Sequence, residues 1–341
     1  DLFDRAKALP AADAAAGGGA TAGVNAAAAA ADADPGPPPL TREIRLNRDG
    51  QWLTFQAVAK RTAGGGVLLV LRDVTALASA VQMKTDFVAN ASHELRTPIA
   101  AIKIAFETLR EVYGDDAHQS DRCMQVIEGH LKRLEEMLRD LLDLSRVENP
   151  NLKPHVRTLK TADVLAHVRS SLGPMARQKL VELRLGEGLA PDAGPSAESP
   201  AEFLGDERLL NLILKNLIEN SVKFTPAGGT VSVTFTRAAG DAGGGDGGVP
   251  PPVTLTVADT GIGIPPEHMD RVFERFYQVD AARSGSAGRG TGLGLAIVKH
   301  AINALGGQVE LESEVGHGTT VRCVLPQAQP EPVAEVEEVG V

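Results

Sequence analysis

Cysteine and aromatic residues are both scarce in this chain of 341 residues. The two cysteines, Cys123 and Cys323, have neither metal-ligand spacing nor a partner nearby in sequence, which excludes a disulfide-stapled secreted scaffold. We predict two inert, buried thiols and a reducing, cytoplasmic setting. Aromatic residues make up 4% of the chain and hydrophobic residues as a whole 43%, so its cores must be mainly aliphatic.

Long apolar runs and an excess of positive charge are also lacking. No apolar run reaches the length of a membrane span, and we expect no secretory signal within these residues. The net charge is −10, and no basic stripe offsets the repulsion from phosphates, which argues against a nucleic-acid partner. The length of the chain favours two or three domains.

The first 75 residues divide into two parts. Residues 1–39 are dominated by Ala, Gly, Pro and Asp without the periodicity of a packed element, which predicts disorder or a long solvated insertion. Residues 40–75 contain short β-prone runs between turn signals. They predict a β-meander of three strands at Thr41–Leu46, Gln51–Lys60 and Gly66–Leu71.

A seven-residue repeat of apolar side chains begins directly afterwards. It predicts a helix from about Ala76 to Tyr113, and its members are Val81, Val88, Leu95, Ile102 and Leu109. After Gly114-Asp-Asp116, apolar residues spaced alternately by three and four predict a second helix from about Gln119 to Val147.

Two such helices joined by a short turn form an antiparallel hairpin. A lone hairpin would leave much of both apolar seams in water, so two copies should pair into a four-helix bundle. Residues 76–150 therefore predict a homodimer, and the alternative is a hairpin that packs against its own chain.

His93 lies on the first of these helices, at a heptad position that points away from the seam into water. A lone histidine is usually an ordinary surface residue, but its neighbours favour a chemical role. Glu94 can accept from one ring N–H and leave the other nitrogen free to attack. Thr97 lies one turn further on the same side of the helix, and Pro98 bends the helix just past the histidine.

The segment Ser92-His-Glu-Leu-Arg-Thr-Pro98 resembles the phosphoacceptor box of the sensor histidine kinases of bacterial two-component systems. The resemblance implies that His93 accepts a phosphoryl group and passes it to an aspartate in the receiver domain of a response regulator. It also implies that Thr97 orients water when the same bundle dephosphorylates that partner.

The predicted meander upstream looks like the C-terminal half of a PAS sensor domain, whose last strand ends in a step similar to Asp73-Val-Thr75. A bare β-meander is the alternative. Since the chain opens at Asp1 inside such a domain and sensor kinases of this type are often anchored upstream, we expect the lack of a membrane span to describe this region alone. We therefore leave open whether the parent protein is anchored in the inner membrane.

Residues 151–326 predict a separate domain, which is followed by a disordered acidic tail at 327–341. Mixed antiparallel strands with helices on one face imply an α+β sandwich. The predicted helices are Ala162–Leu172, Asp206–Val222 with Asp206 as N-cap, and Gly292–Leu305. The predicted strands are Val156–Leu159, Val181–Leu185, Ala201–Leu204, Thr230–Arg237, Val253–Ala258, Gln308–Ser313 and Thr319–Leu325.

Four segments of this domain indicate a nucleotide site. Asn216 and Asn220 share a helix face that ends in Lys223 and Phe224, and Asp259 stands at a strand end before glycines that admit close backbone approach. The other two are a glycine-rich turn that opens a helix and so offers free N–H groups to phosphates, and a hairpin turn with a hydroxyl at its exit. They are Gly288-Arg-Gly-Thr-Gly-Leu-Gly-Leu295 and Gly316-His-Gly-Thr319.

In this order the four segments resemble the ATP-binding domain shared by histidine kinases, gyrase, the large ATP-dependent chaperones and MutL, over about Arg157–Pro326. The resemblance implies ATP and Mg²⁺ as cofactors, with Asn220 as the metal ligand and Asn216 in support. It implies phosphate contacts from Lys223 and from the loop Gly290, Thr291, Gly292, Leu293 and Gly294. It implies adenine or ribose contacts from Phe224, Asp259, Gly261, Gly263 and Thr319, and a lid at Asp280–Arg289 anchored by Phe273 and Phe276.

Two other functions are weighed against the kinase. A gyrase-like ATPase carries a Glu at the place of Asn216 to activate water, and an amide cannot act as that base. A nucleotide-binding scaffold without catalysis is the second alternative, since Arg289 replaces a common lid glycine. The hairpin and its histidine favour the kinase.

Overall fold

A computed structural model of the chain describes residues 39–48, 51–61, 66–113, 116–186, 199–237, 250–279 and 290–327. The predictions of a disordered segment before residue 39, a lid at 280–289 and a disordered tail beyond residue 327 lie outside the described residues. The chain divides into two compact units, residues 1–90 and 91–341.

The first unit contains an antiparallel sheet of three strands in the order β1-β2-β3, which confirms the predicted meander. The strands are β1 (Leu40–Arg48), β2 (Gln51–Arg61) and β3 (Val67–Asp73). Ala57 and Ala59 are buried, whereas Trp52 is exposed. The backbone N–H of Thr54 donates to Oγ1 of Thr75 at 2.8 Å, which ties β2 to the start of the next helix.

Two long helices follow, α1 (Thr75–Val112) and α2 (Ala117–Val147), and their bounds are close to the predicted ones. Asp116 begins α2 by accepting from the backbone N–H of Gln119 at 3.0 Å, which satisfies one of the unpaired donors of the first turn. Pro98 stands inside α1 and is buried. Within the described ranges, no helix is long and apolar enough to cross a membrane.

The apolar seam of α2 is only partly covered within one chain. Met137 and Leu144 are fully buried, whereas Met124, Leu131 and Leu138 are 47%, 48% and 57% exposed. The three exposed residues recur at intervals of seven and so form one stripe along the helix.

The second unit continues into a domain with a five-stranded sheet in the order β5-β7-β8-β10-β9. Its strands are β5 (Glu182–Leu185), β7 (Thr230–Arg237), β8 (Val253–Asp259), β9 (Gln308–Glu314) and β10 (Gly318–Leu325). β5 and β7 are parallel, and the other neighbours are antiparallel. A small second sheet pairs β4 (Arg157–Lys160) with β6 (Glu202–Gly205).

Three helices complete the domain and form, with the sheet, the predicted α+β sandwich. They are α3 (Thr161–Gln178), α4 (Glu207–Phe224) and α5 (Gly294–Ala304). Asp206 caps α4 as predicted, because its Oδ1 accepts from the N–H of Arg208 at 2.9 Å. α3 continues past the predicted end at Leu172, through Pro174. Leu172 and Ala176 are both buried, and this packing outweighs the local stop signal.

Alternate side chains of the central strands form the core. Val231, Val233 and Phe235 of β7 are buried, as the two-residue period of a strand requires for one face. On β10, Cys323 belongs to the same core and is fully buried. Burial raises the pKa of the Cys323 thiol to about 12. Both cysteines are buried and free of disulfides, which confirms the prediction of two buried thiols.

Cys323 should therefore resist thiol reagents in the folded protein. At pH 8 a thiol with a pKa of about 12 is ionised to about one part in 10,000, against about one part in ten at its ordinary value of 9.0. In a Cys123→Ser chain, we expect labelling by iodoacetamide only after urea denaturation. A Cys123→Ser, Ser170→Cys chain, with a thiol on the exposed face of α3, is the matched control that should label without urea. Equal labelling rates in the two folded chains would contradict a buried Cys323.

Candidate active site

The box at residues 92–98 lies on α1 in the second unit. His93 is exposed to solvent, as its heptad position predicts. The carboxylate of Glu94 accepts from Nη2 of Arg133 at 3.5 Å. A residue of α2 therefore binds the carboxylate that was predicted to accept from the imidazole of His93. The hydroxyl of Thr97 lies 3.4 Å from the carbonyl oxygen of His93, which is the usual back-bond of a helical threonine.

Asn216 and Asn220 share a face of α4 and reach the first turn of α5. A β-carbon on Gly294 would lie 3.0 Å from Oδ1 of Asn216 and 3.2 Å from Nδ2 of Asn220. Asn216 is buried, and its amide donates to the carbonyl of Leu212 at 2.8 Å. The structure thus brings the asparagine face of α4 together with the glycine-rich turn that opens α5, which are two of the four predicted segments.

Lys223 and Phe224 end α4 beside the glycine-rich loop. The ammonium of Lys223 lies 2.9 Å from the place of a β-carbon on Gly290 and 5.3 Å from the centre of the Phe224 ring. Burial lowers the pKa of Lys223, and the positive charge of Arg133 lowers it further. A partly desolvated cation beside the N-terminal end of a helix suits a phosphate.

Asp259 ends β8, and the backbone fixes its carboxylate in place. Its Oδ1 accepts from the N–H of Gly261 at 2.9 Å and of Thr319 at 3.2 Å. Burial raises the pKa of Asp259, while these two bonds and a bond from the Ser221 side chain lower it. The glycine-containing segment after β8 and the hairpin turn that ends in Thr319 therefore meet at this carboxylate, which joins the other two predicted segments.

Gly263 and Thr319 both lie against residues of β9. The hydroxyl of Ser313 lies 2.8 Å from Oγ1 of Thr319 and accepts from the N–H of Ile264 at 2.8 Å. Gly263 lies so close to the backbone of Glu314 that a β-carbon has no room. Neither Ser313 nor Ser221 carries a spacing signal, and a serine in a helix or strand is ordinarily unremarked, so sequence reasoning did not find them.

Phe276 shapes the loop Gly290–Gly294. Its N–H donates to the carbonyl of Gly292 at 2.8 Å, and the two residues have positive φ values of 63° and 72°. A β-carbon on residue 292 would meet the backbone of Phe276 at 2.6 Å, so only glycine fits. Leu293 is fully buried, and its N–H donates to Oγ1 of Thr291 at 3.2 Å, which anchors the loop at the start of α5.

Side chains of α2 touch this loop and its surroundings. The hydroxyl of Thr291 donates to Oδ2 of Asp140 at 2.7 Å. Glu148, just past the end of α2, accepts from Nε of Arg275 at 2.8 Å and lies 3.3 Å from Nε2 of His300. Burial raises the pKa of Asp140 and lowers the pKa of His300. The hairpin and the predicted nucleotide loop are therefore in direct contact.

A cleft of about 810 Å³ lies between α2, α3 and α4. Its walls include Val147, His167, Leu172, Leu212 and Lys215. None of the residues predicted to bind the nucleotide lines this cleft, so it is a separate feature of the contact between hairpin and domain.

Two family models match the chain. Residues 83–150 match the His Kinase A (phospho-acceptor) domain, and residues 205–329 match the histidine kinase-, DNA gyrase B-, and HSP90-like ATPase domain. The first match contains His93, and the second contains the four segments of the nucleotide site.

Similar curated proteins include the phosphate regulon sensor protein PhoR of Pseudomonas aeruginosa, 35% identical over 79% of this chain and 55% of the relative. The sensor-like histidine kinase SenX3 of Mycolicibacterium smegmatis is 32% identical over 75% of this chain and 60% of the relative. The chain thus spans between half and two thirds of the length of these two relatives.

Similar solved structures include full-length ShkA in complex with AMPPNP, with 30% identity and a TM-score of 0.47 over 72% of this chain and 46% of that one. The Acinetobacter baumannii histidine kinase AdeS has 22% identity and a TM-score of 0.49 over 70% of this chain and 98% of that one.

The chain belongs to the sensor histidine kinases of bacterial two-component systems, since it carries their phosphoacceptor and ATP-binding domains in the family's order. The resemblance drawn from residues 92–98 and from the four glycine- and asparagine-containing segments is confirmed at the level of the family.

Gly292→Ala should weaken ATP binding, because the new side chain needs a left-handed backbone and collides with Phe276. Strain of about 1–3 kcal/mol corresponds to affinity about five- to 150-fold lower, measured by titration with a fluorescent ATP analogue. Gly129→Ala is the matched control, because nothing lies within 4 Å of that position on α2. Unchanged affinity in Gly292→Ala would contradict a role of this loop in binding.

Proposed function

We propose that the chain is an ATP-dependent protein-histidine kinase core that phosphorylates His93 and then passes the phosphoryl group to an aspartate of a response regulator. One observation carries the proposal. A single compact unit presents an exposed histidine in a phosphoacceptor box together with an ATPase-type site, and the glycine loop of that site touches the hairpin of the histidine at Asp140.

The fixed carboxylate of Asp259 supports its assignment to the adenine amino group. Two backbone N–H groups orient it, so it can accept from a donor on the base without moving. Thr319, next to it on β10, would assist through water, and Phe224 would flank the adenine or ribose. The glycines at 261 and 263 leave the base room to approach the backbone.

Mg²⁺ suits the other end of the site. This ion takes oxygen ligands and commonly keeps one or two from the protein, with the rest from phosphates and water. The amide of Asn220 beside the glycine loop fits that requirement, with Asn216 in support. Among the described residues, no group of three His, Cys, Asp or Glu side chains gathers into a metal site of its own, so the ion would depend on the nucleotide.

Lys223 and the N–H groups of Gly290–Gly294 would bind the phosphates and offset their charge. His93 would attack the γ-phosphoryl group with the free lone pair of its ring, while Glu94 holds the other ring N–H. Positioning and charge neutralisation supply most of the catalysis in such transfers.

Asn216 favours a kinase over a water-activating ATPase. Its amide carries no basic group, and its nitrogen is engaged by the carbonyl of Leu212. The γ-phosphoryl group of bound ATP would then react with the imidazole and not with water.

His93→Ala should abolish transfer of label from [γ-³²P]ATP to the protein and leave ATP binding intact, because only the acceptor is removed. In the unsubstituted chain the label should be acid-labile and base-stable, as a phosphoramidate is. His118→Ala removes another exposed histidine of the hairpin and should label normally.

Three outcomes would contradict the kinase. Label that persists in His93→Ala moves the acceptor elsewhere, and ATP binding without any label supports the silent scaffold. Steady release of inorganic phosphate that does not depend on His93 supports the gyrase-like ATPase.

The exposed stripe of α2 supports a homodimer. Met124, Leu131 and Leu138 recur every seven residues and stay about half exposed in one chain, as the seam of a four-helix bundle would before pairing. The response regulator would dock on the outside of that bundle, where His93 is displayed, and Thr97 would orient water when the bundle dephosphorylates it.

Leu131→Glu combined with Leu138→Glu should convert the dimer into monomers. Each leucine loses about 0.8–1.5 kcal/mol of burial in the seam, since about half of its side chain is already covered within one chain, and each dimer gains four charges there. Size-exclusion chromatography with light scattering measures the change in mass. Lys132→Glu alters charge on the solvated side of the same helix and should remain dimeric, and a double variant that also does so would contradict this interface.

A further inference from the structure

Arg133 stands between the histidine box and the nucleotide loop. It lies on α2, yet its side chain is only 14% exposed, while its neighbours Lys132 and Glu135 are exposed. Its Nη2 lies 3.5 Å from Oε2 of Glu94, the residue next to His93. The guanidinium is thus held within the hairpin at the level of the phosphoacceptor.

The same face of α2 looks towards the nucleotide loop. Asp140 follows Arg133 by seven residues, which is nearly two full turns and about 10 Å along the axis. Asp140 accepts from Thr291 of the loop at 2.7 Å. Arg133 therefore lies on the same loop-facing stripe of α2 as Asp140, seven residues before it and next to Glu94.

The charge of Arg133 acts on a second cation, Lys223 of the ATP-binding domain. Burial is the main reason that the pKa of Lys223 is lowered, and the charge of Arg133 is the next largest reason. The ammonium of Lys223 itself lies beside Gly290. Two like charges from different domains repel each other, and an anion placed between them would remove that repulsion.

We propose that Arg133 is a catalytic residue of the phosphoryl transfer: its guanidinium leaves Glu94, binds the γ-phosphoryl group and thereby releases Glu94 to His93. This proposal rests on the proposed kinase function and names a further residue that acts in it. A guanidinium suits the task because it stays charged and its planar fork matches the oxygens of a phosphoryl group.

The step balances in atoms and charge. One ring nitrogen of His93 uses its lone pair to form the N–P bond, and the bond from phosphorus to the β–γ bridging oxygen breaks. The electron pair of the broken bond leaves on ADP. The proton on the other ring nitrogen stays in place and is held by Glu94. Arg133 and Lys223 would both bind the phosphoryl oxygens while the charge of those oxygens is being redistributed.

Arg133→Gln tests the proposal in the full chain. We expect the rate of His93 labelling at saturating ATP to fall at least about 100-fold, while affinity for a fluorescent ATP analogue changes less than about threefold. Arg133→Lys should recover part of the rate, because it returns the charge without the fork. Lys132→Gln removes the same charge one residue away and should label at the normal rate.

A double variant separates this role from a merely structural ion pair. If Arg133 acted only by holding Glu94, Arg133→Gln would have no further effect in a Glu94→Gln background. The proposal requires an additional loss of about tenfold or more in that background. A labelling rate for Arg133→Gln within about threefold of the unsubstituted chain, or a loss that vanishes beside Glu94→Gln, would overturn it.

Labelling of the unsubstituted chain distinguishes failure of this proposal from failure of the proposed function. If it does not label at all, the kinase function fails. If it labels and Arg133→Gln labels equally well, only the role of Arg133 fails. Urea unfolding checks that each variant is folded. Should Arg133→Gln not fold, Arg133→Lys carries the test, with labelling about tenfold slower expected and the normal rate contradicting the proposal.

Discussion

Helices α4 and α5 meet at Gly294, and the nucleotide site is arranged around that contact. The apolar face of α4 must be buried in the domain core, where Ile213 and Leu217 are almost without exposure, and this turns its asparagine face towards α5. Because residue 294 has no side chain, Asn216 and Asn220 reach the first turn of α5, where unpaired N–H groups attract anions. A bulkier residue would separate the two helices and take the amides away from the loop. Hydrophobic packing thus decides where the polar chemistry of this domain takes place.

Features with a strong period or a local cap were predictable from the sequence. The heptads predicted α1 to within about one residue at each end, and Asp206 was identified as a cap because its side chain bonds within its own helix. The strands that carry Asp259 and Thr319 were predicted to within about one residue, whereas their pairing with each other was not predicted. The end of α3 was predicted wrongly, since Gly173 and Pro174 are local stop signals and the burial of Ala176 is a tertiary effect.

Contacts between the hairpin and the ATP-binding domain could not be predicted in the same way. Asp140 on α2 and Glu148 just past its end stand among many charged residues, and charged residues on a helix ordinarily face solvent. Their partners Thr291 and Arg275 are distant in sequence, so neither spacing nor composition connects them. Motifs reveal which groups bind a ligand, whereas the orientation of one folded domain against another depends on the complementarity of whole surfaces.

The cleft of about 810 Å³ has walls from both halves of that contact. Val147 lies on the hairpin, whereas Leu172 and Lys215 lie on the ATP-binding domain, so the shape of the cavity is a property of their mutual arrangement and of neither half alone. Any rotation of the domain over α2 must widen, narrow or abolish it. A small molecule complementary to these walls would consequently stabilise one arrangement of the hairpin and the domain at the expense of the others, and it would do so without occupying the site proposed for the nucleotide.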